Sequence, residues 1–189
     1  MPALLAISFA TQGAYESEIE RLASSCARWN VPLVRETIST LGSWKRNCAY
    51  KPRFIRKMLD AYPGQSLLWL DADAEVQGDV SAIASLQCDI AARTCLWPHP
   101  SHPHLLSGTI LIQPTPAARI TIAKWCELQT GEVTDQRVLE KAVAETKPII
   151  VDLDPRYVAI IDETPAIDRP LIVHHQASRR LRRVMTERA

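Results

Sequence analysis

Leu67-Leu68-Trp69-Leu70-Asp71-Ala72-Asp73 is the stretch that decides the fold. Its apolar half reads as a buried strand, and two aspartates follow where that strand ends, ahead of Ala74-Glu75-Val76. A strand has a side-chain period of two, so Asp71 and Asp73 point to the same side. Two carboxylates converging at a strand end suit a hard divalent cation. Open α/β sheets bind ligands outside the carboxyl ends of their strands. The simplest reading is a metal that neutralises a phosphate or diphosphate. The plain alternative is a turn-capping Asp71 and a solvated Asp73. An isolated Asp-x-Asp is common, so the rest of the chain must decide.

Working outward, Ala3 to Phe9 reads as a buried strand and Tyr15 to Trp29 as a helix, with Ile19, Leu22, Ala23 and Cys26 on one face. Val31 to Glu36 reads as a second strand. Lys51-Pro52 opens a helix with proline in its first turn, and Tyr62-Pro63-Gly64 stops it. Asp89 to Arg93 and Leu105 to Gln113 are strand-like, and Thr115-Pro116 starts a helix to about Leu128. Thr134 caps another helix to about Glu145. Ile149 to Leu153, Tyr157 to Ile161 and Leu171 to Val173 are short late strands, and the arginine-rich tail from Ser178 reads as helical. Strands alternating with helices imply an α/β domain with a mostly parallel, mixed sheet. The short late strands are where antiparallel pairing is expected.

A chain of 189 residues is long enough to bury one sizeable core, and the expectation is a single domain over 1–189. A formal net charge of +1 does not itself demand nucleic acid or a membrane. Cys26, Cys48, Cys88, Cys95 and Cys126 are odd in number and lack C-x-x-C spacing, which suits reduced thiols and a cytoplasmic setting. No segment approaches a membrane span, and the N-terminal apolar run is too short for a signal peptide.

Three further segments join the Asp-x-Asp strand: Leu106-Ser107-Gly108-Thr109, Thr134-Asp135-Gln136, and Leu171-Ile172-Val173-His174-His175 followed by Arg179-Arg180. In this order they resemble the small GT-A type nucleotide-sugar glycosyltransferases, the family-8-like and nucleotide-diphospho-sugar transferase groups. The resemblance runs from Ala6 to about Arg180. It implies a single GT-A, Rossmann-like domain, with 174–189 a basic segment closing the donor site. It also implies a UDP-sugar as the favoured donor and Mn2+ or Mg2+ as cofactor.

By the same resemblance, Asp71 and Asp73 match the metal-binding pair, and His174 matches a histidine completing the metal shell. An imidazole nitrogen moves preference from magnesium toward a transition ion. His175 should face the other way on a strand. Arg180 stands where a basic residue meets the departing diphosphate, with Arg179 as the alternative register. Ala10 and Thr11 fall where the nucleotide lies, Tyr15 either stacks on the base or packs on its helix, and Lys51 is placed near the donor phosphates. Ser107-Gly108 matches the small pair that lets the sugar approach the backbone, with Ala72 between the metal ligands. Leu106 departs from the polar residue usual there. Asp135-Gln136 resembles a pair that reads sugar hydroxyls or lies near the acceptor. Asp135, Asp152 and Asp154 are the candidate bases of an inverting mechanism, and stereochemistry stays open.

The run Trp97 to His104 holds alternating prolines and histidines without a zinc-like cysteine pattern. It reads as a loop at the site mouth, with Trp97 and His104 as acceptor contacts. The acceptor itself is open: a small sugar, a lipid-linked glycan, a protein, or a hydroxymethylated DNA base, the last suggested by the basic tail. Oligomeric state is open too. Two rival readings are a haloacid-dehalogenase-like phosphatase, whose Asp-x-Asp belongs on a first strand, and a catalytically silent nucleotide-binding module.

Overall fold

The structure, a computed structural model, describes residues 3–95, 104–161 and 167–180. In chain order it runs β1 (Leu4–Thr11), α1 (Glu16–Arg28), β2 (Leu33–Ile38), α2 (Trp44–Ala49), α3 (Lys51–Ala61), β3 (Ser66–Leu70) and β4 (Ala74–Val76). There follow β5 (Ile90–Cys95), β6 (His104–Ile112), α4 (Pro116–Leu128), α5 (Asp135–Thr146), β7 (Ile150–Asp152), β8 (Ala159–Ile160) and β9 (Ile172–His174).

The main sheet has six strands in the order β2-β1-β3-β6-β5-β7. β1 pairs in parallel with β2 and β3, and β5 with β7. β6 is antiparallel to both of its neighbours. The mixed α/β sheet expected from the sequence is therefore present. In this sheet the antiparallel member is the long β6, whereas the late strand β7 is parallel; the late strand β9 does pair antiparallel, with β4. Helical crossovers through α1 and through α2–α3 deliver the parallel strands, as such connections require.

The central strand β3 shows how sequence becomes layers. Leu67 and Trp69 enter a core built with α3, α4 and α5, while Leu68 and Leu70 enter the opposite core with Leu22 and Cys26 of α1. All five β3 residues are buried. A strand covered on both faces reads as a continuous apolar run, because neither face can be polar. Phe9, Phe54 and Trp69 meet with ring centroids 5.5–6.0 Å apart. Burying side chains of this kind contributes roughly 1.5–3 kcal/mol each, so the layer beneath the strand ends is firm.

β3 ends at Leu70; the chain turns through the aspartates and re-forms as β4. β4 joins β9 and β8 in a second sheet of order β4-β9-β8, with Ala74 opposite His174. The sequence did not predict β4 or α2. A three-residue strand carries too little periodicity to detect when its partner is 100 positions away. β2 begins at Leu33, two residues later than expected, after Pro32. Thr115 caps α4 as expected, its side chain accepting from Ala118 N at 3.1 Å. Thr134 occupies the N-cap position of α5 without a side-chain capping bond. The tail is helical over Ala177 to Arg180, and the rest of it lies outside the described residues, as does Trp97.

Candidate active site

The turn between β3 and β4 sets the two aspartates. Asp71 N donates to Gly108 O at 2.8 Å, extending the β3–β6 pairing by one residue, and Ala74 N donates to Asp71 O at 2.9 Å to close the turn. Asp73 is fixed from the other side of the chain. Its carbonyl accepts from His175 N at 3.0 Å, and its Oδ2 accepts from Ala177 N at 2.8 Å. β9 carries His174 into the same space. Asp71, Asp73 and His174 each offer one ligand atom within 4.8 Å of the others.

His174 is buried, and its Nε2 lies 2.8 Å from Thr109 Oγ1. Nδ1 lies on the Asp73 side, 3.8 Å from Oδ1. With Nε2–H donated to the threonine, Nδ1 keeps its lone pair for a cation. His175 points away and pairs through Nε2 with Glu75 Oε2 at 2.8 Å. Gly108 explains the closeness of the group. A Cβ there would stand 2.9 Å from His174 Cε1 and 3.4 Å from Asp71 Oδ2. A donor set of two carboxylates and one imidazole could hold a divalent metal ion.

Behind the aspartates sits Lys51, 4% exposed and the first residue of α3. Its Nζ meets Asp135 Oδ2 at 2.5 Å, Asp71 Oδ1 at 2.9 Å and Ser107 O at 3.0 Å, 5.2 Å from the Trp69 ring centroid. Burial alone would push this ammonium down; Asp135 and Asp71 overrule it and hold it well above the ordinary lysine range. Trp69 Nε1 also donates to Asp71 Oδ1, at 3.0 Å. Burial raises the Asp71 carboxyl in turn; Lys51 pulls the other way, and Asp73 and Asp135 reinforce the rise. Burial acts the same way on Asp73, but the neighbouring His174 imidazole and the hydrogen bond from Ala177 N leave its carboxyl below the ordinary range. Lys51 thus ties three segments together, bracing the carboxylates of Asp71 and Asp135 and the carbonyl of Ser107 on β6. The sequence placed it beside phosphates; here its ammonium is already engaged by Asp71 and Asp135.

These groups line a cleft of about 540 Å³ at the strand ends. It brings together Ala10, Thr11, Tyr15, Lys51, Asp71, Ala72, Asp73, His104, Ser107, Gly108, Asp135, Gln136, His174 and Arg179. Arg180 is not among its lining residues: it donates to Glu18 Oε1 of α1 at 2.8 Å. Asp152 accepts from Thr94 N at 2.6 Å and Asp154 pairs with Arg156, and neither lines the cleft. Thr109, Trp44, Cys48 and Arg137 were not singled out in the sequence. Thr109 was signalled only by its place beside Gly108, and Trp44 and Cys48 lie on the unforeseen α2. Burial, helped by Asp135, pushes the Cys48 thiol up to about 12, so it stays protonated and unreactive.

A six-stranded mixed sheet flanked by helices, with a small second sheet beside it, is the fold of solved glycosyltransferases. Among solved structures, the chain is similar to a glycosyltransferase involved in the glycosylation of the major capsid of PBCV-1, with a TM-score of 0.74 and 15% identity. That match covers 98% of this chain and 100% of the other. It is also similar to the glycosyltransferase GlyE of Streptococcus pneumoniae TIGR4, with a TM-score of 0.62, 19% identity and 92% coverage, and to its apo form at 0.61. The chain spans about half of GlyE, 55% of its length. No protein-family model matches the chain, and no curated protein matches it.

Proposed function

We propose that this protein is a metal-dependent glycosyltransferase that moves a sugar from a nucleoside-diphosphate donor, UDP favoured, to a hydroxyl acceptor. The observation that carries the reading is the convergence of Asp71, Asp73 and His174 in one cleft with Ser107-Gly108 and Asp135-Gln136. Asp71, Asp73 and His174 Nδ1 would hold Mn2+ or Mg2+, manganese being favoured by the nitrogen ligand. When bound, such an ion neutralises charge that develops on the leaving diphosphate.

The chain's own residues do the rest in this reading. Ala10, Thr11 and Tyr15 bind the nucleotide at the end of β1. Gly108, without a side chain, leaves room for the sugar beside the ligands. Arg179, in the cleft wall, meets the diphosphate, and Arg180 joins only by leaving Glu18. Asp135 is held by Lys51 at 2.5 Å and accepts from the Ser107 hydroxyl at 3.0 Å, so we assign it to orienting donor hydroxyls rather than to proton abstraction. Among the described residues, the cleft's carboxylates are Asp71, Asp73 and Asp135, and each already has a partner. That set supports retention at the anomeric carbon over a base-driven inversion.

The test is hydrolysis of a panel of nucleotide sugars with manganese, followed by the anomeric configuration of the product by NMR. Metal-stimulated hydrolysis of one donor, abolished by EDTA, is expected. Turnover of simple phosphate esters without nucleotide-sugar hydrolysis would move the assignment to a phosphatase, and nucleotide binding without any turnover to a silent binding module.

A further inference from the structure

We propose that Lys51 is a positioning residue of the metal site: a resident counter-cation that keeps Asp71 and Asp135 assembled and, in doing so, restrains the affinity of the site for its ion. This rests on the metal-dependent reading above and gives a role to a side chain that the reading leaves without one.

Lys51 stands at the head of α3 beside Pro52, and Phe54 and Ile55 of the same helix are fully buried, so its backbone is fixed. Its side chain reaches between the walls of the cleft. Besides Asp135 Oδ2 at 2.5 Å, Asp71 Oδ1 at 2.9 Å and Ser107 O at 3.0 Å, Nζ lies 3.3 Å from Ser107 Oγ. An ammonium has three protons to donate, and acceptors on α5, on β6 and on the turn after β3 take them. The lysine is thus spent within the protein.

The two oxygens of Asp71 are divided. Oδ1 accepts from Lys51 and, at 3.0 Å, from Trp69 Nε1. Oδ2 lies against Gly108: a Cβ built there would stand 3.4 Å from Oδ2 and 3.2 Å from His174 Nδ1. Lys51 and Trp69 therefore fix which oxygen of Asp71 shares the space of the imidazole. Asp71, Asp73 and Asp135 share the cleft with this one buried ammonium. As a group the four carry two net negative charges, which a divalent ion would cancel. Without the ammonium the carboxylates repel one another. With it, an ion held by Asp71 meets a like charge on the same carboxylate, where burial screens little. Order and affinity pull in opposite directions here.

The experiment is calorimetric titration of manganese alone into wild type, Lys51→Met, Asp135→Asn and the double variant, with melting curves in chelator. Methionine keeps an unbranched chain and loses the charge. Lys51→Met should bind manganese about tenfold tighter than wild type. It should also melt lower in chelator and hydrolyse the nucleotide sugar more slowly, because Asp135 has lost its anchor. The double variant should regain much of the melting temperature, since both halves of one buried pair are gone. It should bind manganese about tenfold tighter than Asp135→Asn alone, a comparison that stands even if Lys51→Met fails to fold. A lysine that served structure alone would loosen the ligands when replaced, so affinity unchanged or weaker on replacing Lys51 overturns the role. No manganese binding by wild type overturns it together with the metal reading. Donor hydrolysis by wild type is scored separately. The expected affinities without donor hydrolysis remove the transferase reading and leave the role of Lys51.

Discussion

The Thr109 hydroxyl stands 2.8 Å from His174 Nε2, so a buried threonine on β6 governs which imidazole nitrogen faces the aspartates. Outer partners of this kind orient a metal ligand, and losing one costs about 10–100-fold in metal affinity. Thr109→Val keeps the shape but removes the acceptor, and should weaken manganese binding by calorimetry within that range. Thr109→Ser should restore most of it. Unchanged affinity in the valine variant would place His174 outside the metal shell.

His174 and His175 are adjacent, yet only one faces the cleft. His174→Ala should abolish the rise in unfolding temperature produced by manganese with UDP. His175→Ala breaks the contact with Glu75 and should lower the melting temperature of the metal-free protein while keeping the manganese-dependent rise. A reversed pattern in the same thermal-shift assay would exchange the two assignments.

Gly108→Ala places a methyl 2.9 Å from His174 Cε1, closer than a Cβ contact can be. The ring must shift, and the three ligand atoms separate. Manganese affinity should fall at least as far as in Thr109→Val, with donor hydrolysis falling alongside it. A crystal structure of the variant with an undisturbed His174 would contradict the reading of Gly108.

Asp71 yields a pH prediction. Its carboxyl titrates above the ordinary range because of burial, with Asp73 and Asp135 adding to the effect. The folded state therefore holds this proton more tightly than the unfolded state does. Wild-type stability gains as pH falls through the raised folded value, and loses that gain as pH rises. Asp71→Asn should thus melt higher than wild type at pH 7 without metal, the difference narrowing on acidification. The same variant should lose the manganese response. Melting curves from pH 4 to 8 measure both.

Arg179 and Arg180 are separable. Arg179 lines the cleft, and Arg180 is bonded to Glu18. Arg179→Ala should reduce turnover of the nucleotide sugar more than tenfold, whereas Glu18→Gln frees Arg180. If Arg180 serves the diphosphate only after leaving Glu18, Glu18→Gln should lower KM for the donor. An unchanged KM would leave Arg180 as a structural tie to α1.

Much of this architecture was legible in the chain. β3 announced itself because both of its faces are covered, which makes its sequence uniformly apolar. Asp71 and Asp73 were singled out by strand period, Gly108 and His174 by the resemblance of their segments to a known family, and the structure gathers all four in one cleft. What escaped depended on partners distant in sequence. Lys51 looks like a helix-start cation until Asp71 and Asp135 converge on it. Thr109 is one more β-branched strand residue until His174 arrives. α2 has no apolar face to reveal it, since nothing on it is buried. The antiparallel sense of β6 is set by its neighbours, and no residue within it encodes direction.

The pairing of Ala74 with His174 has a consequence for motion. β4 and β9 are three residues long, and such small sheets open far below the free energy of global unfolding. Each opening of β9 carries His174 away and releases both tethers on Asp73, so the ligand set comes apart as one unit. An ion bound to that set must then act as a clasp, adding its binding free energy to the closed form alone. Amide hydrogens of Ile172 to His174 should exchange slowly in manganese and quickly in chelator, while those of Leu67 to Leu70 keep one rate in both.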